Sequence, residues 1–220
     1  RILRGLPRPV VRPARRNAMT LISPVRDDLC IAFANTRSWR GRETPVERLH
    51  GVGDLLAWTK RTAGETDERL EQAGRWAGEH HDDADRLFDE AIRLREALYR
   101  ALAAIAEKQT VEERDFAALA QAIAQAPSRS RLVRSNGGYA WSVGPFEPSA
   151  AHLLVPVLWS AGDLIADAGR HRLRRCANPE CRFLFLDESK SGTRRWCDMA
   201  TCGNRAKARR HYAKVRQDAG

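Results

Sequence analysis

Residues 174–216 read RRCANPECRFLFLDESKSGTRRWCDMATCGNRAKARRHYAKVR. Cys176, Cys181, Cys197 and Cys202 fall in this stretch with the spacing C-x4-C-x15-C-x4-C. Two thiol pairs joined by a short connection supply a complete tetrahedral ligand set for one Zn²⁺, with Zn–S near ~2.3 Å. Four thiolates leave no coordination position for substrate or water. The pattern therefore indicates a structural ion, and no enzymatic role is expected. Cys176 and Cys181 flank Ala-Asn-Pro-Glu, a turn-forming tetrapeptide able to aim both thiolates at one ion. Residues 183–186 read as a strand, 187–192 as a polar turn, and 194–196 as the returning strand that ends at Cys197. From about Met199 the composition turns helical, with Cys202 in the first turn. Knuckle, β-hairpin and ligand-bearing helix, in that order, make a treble-clef-like zinc finger. A unit this small buries too little apolar surface to hold together without its metal.

Zn²⁺ with four thiolates carries a net charge of −2. Arg175, Arg182, Arg194, Arg195 and Arg205 stand close enough in sequence to offset it, as metal centres commonly require. Lys207, Arg209, Arg210, Lys214 and Arg216 lie further along the helix, where charge compensation explains less. A rigid metal unit beside a basic helix suggests a nucleic-acid-binding module, for which double-stranded DNA is the expected partner. The candidate contacts are Arg194, Arg195, Arg205, Lys207, Arg209, Arg210 and Lys214. Of these, Arg205, Arg209 and Arg210 are the leading choices, with Lys207 and Lys214 on phosphate. The same charge would serve an RNA-binding or ribosome-associated zinc protein. It would also serve a protein-interaction module whose helix docks an acidic partner. Phe183, Phe185 and Trp196 read as a mini-core rather than base-stacking platforms.

Charge along the 220 residues supports a separate role for this end of the chain. Residues 1–16 hold six Arg and no acid, 17–169 have a net charge of −5, and 170–216 hold 14 basic and 4 acidic residues. Apolar residues make up 43% and charged residues 30%, a globular balance. No run approaches the roughly 18 apolar residues of a membrane span. Residues 1–19 read as a disordered basic arm or upstream extension, because Pro7, Pro9 and Pro13 oppose an amphipathic targeting helix. Without an export signal, a reducing cytoplasmic setting is expected, where clustered thiols favour metal over disulfide.

Upstream, 25–37 is a short apolar run that fits a strand or a buried helix, with Cys30 as a small buried apolar residue. Leu49, Val52, Leu55, Leu56 and Thr59 suggest a helix from Pro45 with Thr44 as N-cap. The clearest helix spans 82–108, where Leu87, Phe88, Ala91, Leu94, Leu98, Leu102 and Ile105 form one stripe. Another fits 111–125, with Phe116, Leu119, Ala120 and Ile123 inward. Alternation around Asn136-Gly137-Gly138 predicts a β-hairpin over 131–143. A long apolar helix follows over 149–168, kinked at Pro156. The fold class is α+β: a helix-dominated domain with a few strands over 20–169, then the finger over 170–220.

Other clusters carry less chemistry. Residues 79–85, EHHDDAD, are better read as a solvated helix start than as metal ligands. His171 and His211 flank a ligand set already complete with four thiols. Neither a nucleophile elbow nor a phosphate-binding glycine loop is present.

The stretch RFLFLDESKSGTRRWCDMATCGNRAKARRHY, with Arg194-Arg195-Trp196-Cys197, Met199 and Cys202-Gly203-Asn204-Arg205, closely resembles the CGNR zinc finger. This covers about a fifth of the chain. LCIAFANT at 29–36 resembles the opening motif of the ABATE domain, which commonly precedes that finger; Ala32 stands where that family often has an acid. The pairing implies a stress-induced transcription regulator with an N-terminal domain sensing a small-molecule effector and a zinc-dependent DNA-binding tail. It also implies structural work for Gly203, packing closely beside the zinc, and for Asn204, bonding backbone in the knuckle or hairpin.

Overall fold

Helix α4, His81–Ala106, is the axle of the molecule. Ala84, Leu87, Ala91, Leu94, Leu98, Ala101 and Leu102 recur at three- and four-residue spacing and are buried. The computed structural model describes residues 20–22, 26–63, 67–135, 138–209 and 215. The basic arm, the Asn136-Gly137 turn, Arg210, His211, Lys214 and Arg216 lie outside the described residues. Around α4 pack α1 (Leu29–Ala34), α2 (Val52–Thr62), α3 (Asp67–Glu79), α5 (Glu113–Gln125) and α6 (Ala150–Leu153). Helix α7, Val155–Ala166, closes the layer against α1 and α5. Fully buried leucines such as Leu98 and Leu102 contribute about 2 kcal/mol each.

A three-stranded antiparallel sheet of order β1-β3-β2 flanks the helices, with β1 Thr20–Ile22, β2 Leu132–Ser135 and β3 Gly138–Val143. The hairpin has the expected place, and Leu132 faces Trp141 across it. Strand β1 has no signal in the sequence. It is three residues long and takes its order from pairing with β3.

Several boundaries differ from the expected ones, each for a tertiary reason. The 25–37 run is helix α1, pinned to α7 by a hydrogen bond from the Cys30 amide to Ser160 Oγ, 3.0 Å. Burial pushes the Cys30 thiol up to about 11, so it behaves as a small apolar side chain. The helix expected from Pro45 begins only at Val52. Residues before it are held extended: Val46 exchanges two backbone hydrogen bonds with Ser38, and Glu47 is drawn into an ion-pair network.

At the centre of that network is Arg95, whose side chain is 1% exposed. It donates to both Glu47 carboxylate oxygens at 2.6 Å and to Glu96 at 2.9 Å, while Arg40 donates to Glu96 at 2.6 Å. Burial alone would raise the Glu47 and Glu96 pKa values. Hydrogen bonds and charge from Arg95 and Arg40 outweigh it and hold both below the usual carboxylate range.

Helix α3 has no counterpart among the expected helices: its segment is polar overall, and its narrow inward face holds Leu70, Ala73 and Ala77 with half-buried Trp76. In α5 the inward face holds Asp115, Leu119 and Ala122, whereas Phe116 is exposed and so is Ala120. Asp115 is tolerated inside because Arg100 grips it at 2.7 and 2.8 Å. The predicted 149–168 helix breaks at Leu154 into α6 and α7, with Pro156 in the first turn of α7 and Ser149 capping α6.

Candidate metal centre

Strand β4, Leu173–Arg175, delivers Cys176 to the knuckle. The turn after it closes on Asn178: its carbonyl accepts from the Cys181 and Arg182 amides, and its Oδ1 accepts from the Glu180 amide. Arg182 adopts φ 57°, the left-handed conformation that turns the chain back. Phe183 then accepts from the Cys176 amide at 2.7 Å and leads into β5, Leu184–Leu186. The second ligand pair sits at a helix start. Asp198 caps it by accepting from the Thr201 amide, and Cys202 lies in the wide π-type turn Met199–Gly203, followed by helical residues 204–209.

The four Sγ atoms lie within 4.8 Å of one another. Cys181–Cys197 and Cys197–Cys202 are separated by 3.6 and 3.8 Å. A tetrahedral ion with ~2.3 Å bonds requires S···S of about 3.8 Å, so the cage fits Zn²⁺. Hydrogen bonds from Cys181 and Cys197 pull the Cys176 thiol down, while Cys181 and Cys197 are pushed up by their bonds to Cys176. Sulfurs this close repel one another as thiolates, and a divalent cation among them removes that conflict. The centre holds one structural zinc ion.

Two polar residues outside the ligand set shape the cage. Asn178, 1% exposed, points Nδ2 at Cys202 Sγ, 3.5 Å away, and its Oδ1 accepts from Arg209 at 3.1 Å. Asp187 is buried and accepts from Ser189 Oγ at 2.6 Å, the Ser189 amide at 3.1 Å, the Arg194 amide at 3.0 Å and Arg174 at 3.1 Å. Those bonds, the Ser189 hydroxyl first, hold its pKa down at about 2. Asn-Pro within the C-x4-C turn is the only sequence signal for Asn178, and nothing local marks Asp187.

The hairpin is not the expected one. β5 pairs with β4, across the knuckle, in the register Leu173↔Leu186. Residues 194–197 form no strand, because the Arg194 amide is committed to Asp187 and its guanidinium to the Trp196 and Cys197 carbonyls. Phe183, Phe185 and Trp196 form the mini-core with the cysteines, as expected. Gly203 makes its close approach to Met199, where a Cβ would come 2.7 Å from Sδ. Asn204 bonds the Ala200 carbonyl within its own turn, not the knuckle or hairpin.

The metal unit is seated on the helical domain. Leu173 and Leu184 belong to the main core, and Trp39 packs into the finger's cluster. Asn35 pairs with the Leu184 backbone, Tyr99 donates to the Arg182 carbonyl at 2.9 Å, and Arg175 pairs with Glu107. Gly41 donates to the Glu180 carbonyl at 3.0 Å.

This seating decides what the candidate DNA contacts do. Arg205 lies 4.5 Å over the Trp39 ring, whose other partner Arg42 is at 4.0 Å. Arg209 is shared between Asn178 and Glu180, the latter at 3.7 Å. Arg194 also lies 4.6 Å over Phe185. Arg195 and Lys207 are exposed and have no carboxylate partner among the described residues. His171 and the 79–85 acids join no metal cluster among the described residues; the four cysteines do. No helix among them is long and apolar enough to cross a membrane.

Comparison with curated proteins gives no match. A family model for the CGNR zinc finger matches residues 172–215. A second model, ABATE, described as "Putative stress-induced transcription regulator", matches residues 27–168, well over half of the chain. With its helical domain and its four-cysteine finger both matched, the chain belongs to the ABATE family and carries a CGNR zinc finger.

Proposed function

We propose that this protein is a cytoplasmic transcription regulator that binds double-stranded DNA through the exposed basic face of its zinc finger. The helical domain carries the response to a small-molecule effector. The observation that supports this reading most is the pairing of a coordinatively saturated zinc unit with exposed, uncompensated cations. Arg195 and Lys207 project from a segment, 170–216, that holds 14 basic and 4 acidic residues. Zinc, Asn178 and Asp187 hold the backbone that presents them. The ion serves shape, and we read the protein as non-enzymatic, since four thiolates exclude substrate from the metal.

Phosphate neutralisation releases counterions, so affinity for duplex should fall linearly in a log–log plot against salt, by about 0.9 per neutralised phosphate. Fluorescence anisotropy of zinc-loaded protein on a selected duplex measures this. Lys207→Glu should weaken binding across all sequences and reduce the slope by about 1 or more. Absence of any salt-sensitive duplex affinity would reject the reading. Complete displacement by structured RNA, with DNA unable to compete, would transfer the same surface to an RNA partner.

A further inference from the structure

A cavity of about 460 Å³ opens where the end of α4 meets the finger. Arg174, Arg175, Arg182, Arg194 and Arg195 line it, opposed on that wall by Glu107. These residues come from β4, the knuckle and the 194–197 segment, apart from the terminal helix. Asp187 takes the charge of Arg174, and Glu107 that of Arg175. Arg182 and Arg195 have no carboxylate partner among the described residues: Arg182 donates to the Pro179 carbonyl, and Arg195 lies 5.5 Å from the Trp196 ring. Guanidinium groups crowded on one concave wall repel one another, and a planar fork of N–H donors matches phosphate oxygens. Glycine-loop and helix-terminus devices are not involved; the site is made by side chains of both units, so its occupancy also reports their junction.

We propose that this cleft is an oxyanion site that takes a phosphate group. A small phosphorylated molecule and a nucleic-acid backbone offer the same chemistry. The small-molecule case stands independently of the DNA reading; the backbone case extends the DNA contact past Lys207 onto the cleft. In either case Glu107 is a built-in competitor for Arg175, so the anion and the Glu107 carboxylate exclude each other.

The test uses full-length, zinc-loaded protein with pyrophosphate as probe in calorimetry at low ionic strength, and a labelled duplex in parallel. Arg182→Gln and Arg195→Gln should each weaken pyrophosphate binding about tenfold, the loss of one charge-assisted contact. Glu107→Gln should strengthen it about threefold by freeing Arg175, an effect that no folding defect would imitate. Zinc content and melting temperature verify each variant. If pyrophosphate does not bind, but duplex affinity falls in the two arginine variants and rises in Glu107→Gln, the phosphate comes from a nucleic-acid backbone. If pyrophosphate binds and duplex does not, the DNA reading fails and the cleft stands. If neither probe responds to the three substitutions in folded protein, the oxyanion site is overturned.

Discussion

The side-chain amide of Asn35 satisfies both backbone polar groups of Leu184: Nδ2 donates to the carbonyl at 2.9 Å, and Oδ1 accepts from the amide at 3.1 Å. Asn35 caps the C-terminal end of α1, and Leu184 starts the finger strand β5. One carboxamide thus acts as a peptide unit on the free edge of the ribbon. Asn35→Ala should cost about 2 kcal/mol, because it strands two partly buried groups. Asn35→Asp should be no milder, since a carboxylate has no donor for the Leu184 carbonyl. Amide exchange at Leu184 and thermal melting check both; full stability in Asn35→Asp would refute the pairing.

Gly41 marks the tightest approach between the two units. A Cβ there would lie 1.8 Å from the Pro179 carbonyl oxygen, a backbone atom that cannot rotate away. Gly41→Ala should separate the 39–43 loop from the knuckle and lower the melting temperature, while the four-thiolate cage still binds one zinc. Metal analysis together with melting separates these effects.

Zinc removal should destabilise more than the finger. Leu173 and Leu184 are part of the main core, so loss of the ion withdraws two leucines from the helical domain. At about 2 kcal/mol or more for each, chelation should lower the transition of the whole chain by about 10 °C. Cys202→Ser should act similarly. A transition of the helical domain that is indifferent to chelation would show that the two cores are not coupled.

Arg205 stacks on Trp39, so its first duty is within the molecule. Arg205→Ala should cost about 1 kcal/mol in the absence of any nucleic acid, and Arg205→Lys should retain part of that. A residue that acted solely on DNA would leave the free protein's melting temperature unchanged.

The Arg95 network makes an acid-sensitive contribution. Glu47 and Glu96 have folded pKa values below their unfolded value of about 4.3, so their stabilisation is complete above that pH. It is lost as pH falls through the lowered folded values. A Glu47→Gln variant should lose about 2 kcal/mol at pH 7, discounted for the partial exposure of Glu47. Its melting temperature should also fall less steeply between pH 5 and 3 than that of the parent protein, which melting curves across that range would reveal.

The sequence by itself determined the metal. Ligand identity and spacing are local properties, and the C-x4-C-x15-C-x4-C pattern named all four cysteines of the cage. It also determined α4 and the 131–143 hairpin, where apolar periodicity is long or the turn chemistry strong. Tertiary structure decided how these parts are used. Asn35, Trp39 and Gly41 have no local signal, because their roles depend on β5, Arg205 and Pro179, distant in sequence. The same holds for the partner of β5, which is β4, while the Arg194 amide is held by the Asp187 side chain and not by a neighbouring strand. For the arginines near the cage, composition could say only that they are charged. Placement against Trp39, Asn178, Phe185 or solvent decides which guanidinium groups hold the molecule together and which remain for a partner, since a charge already paired has little left to offer.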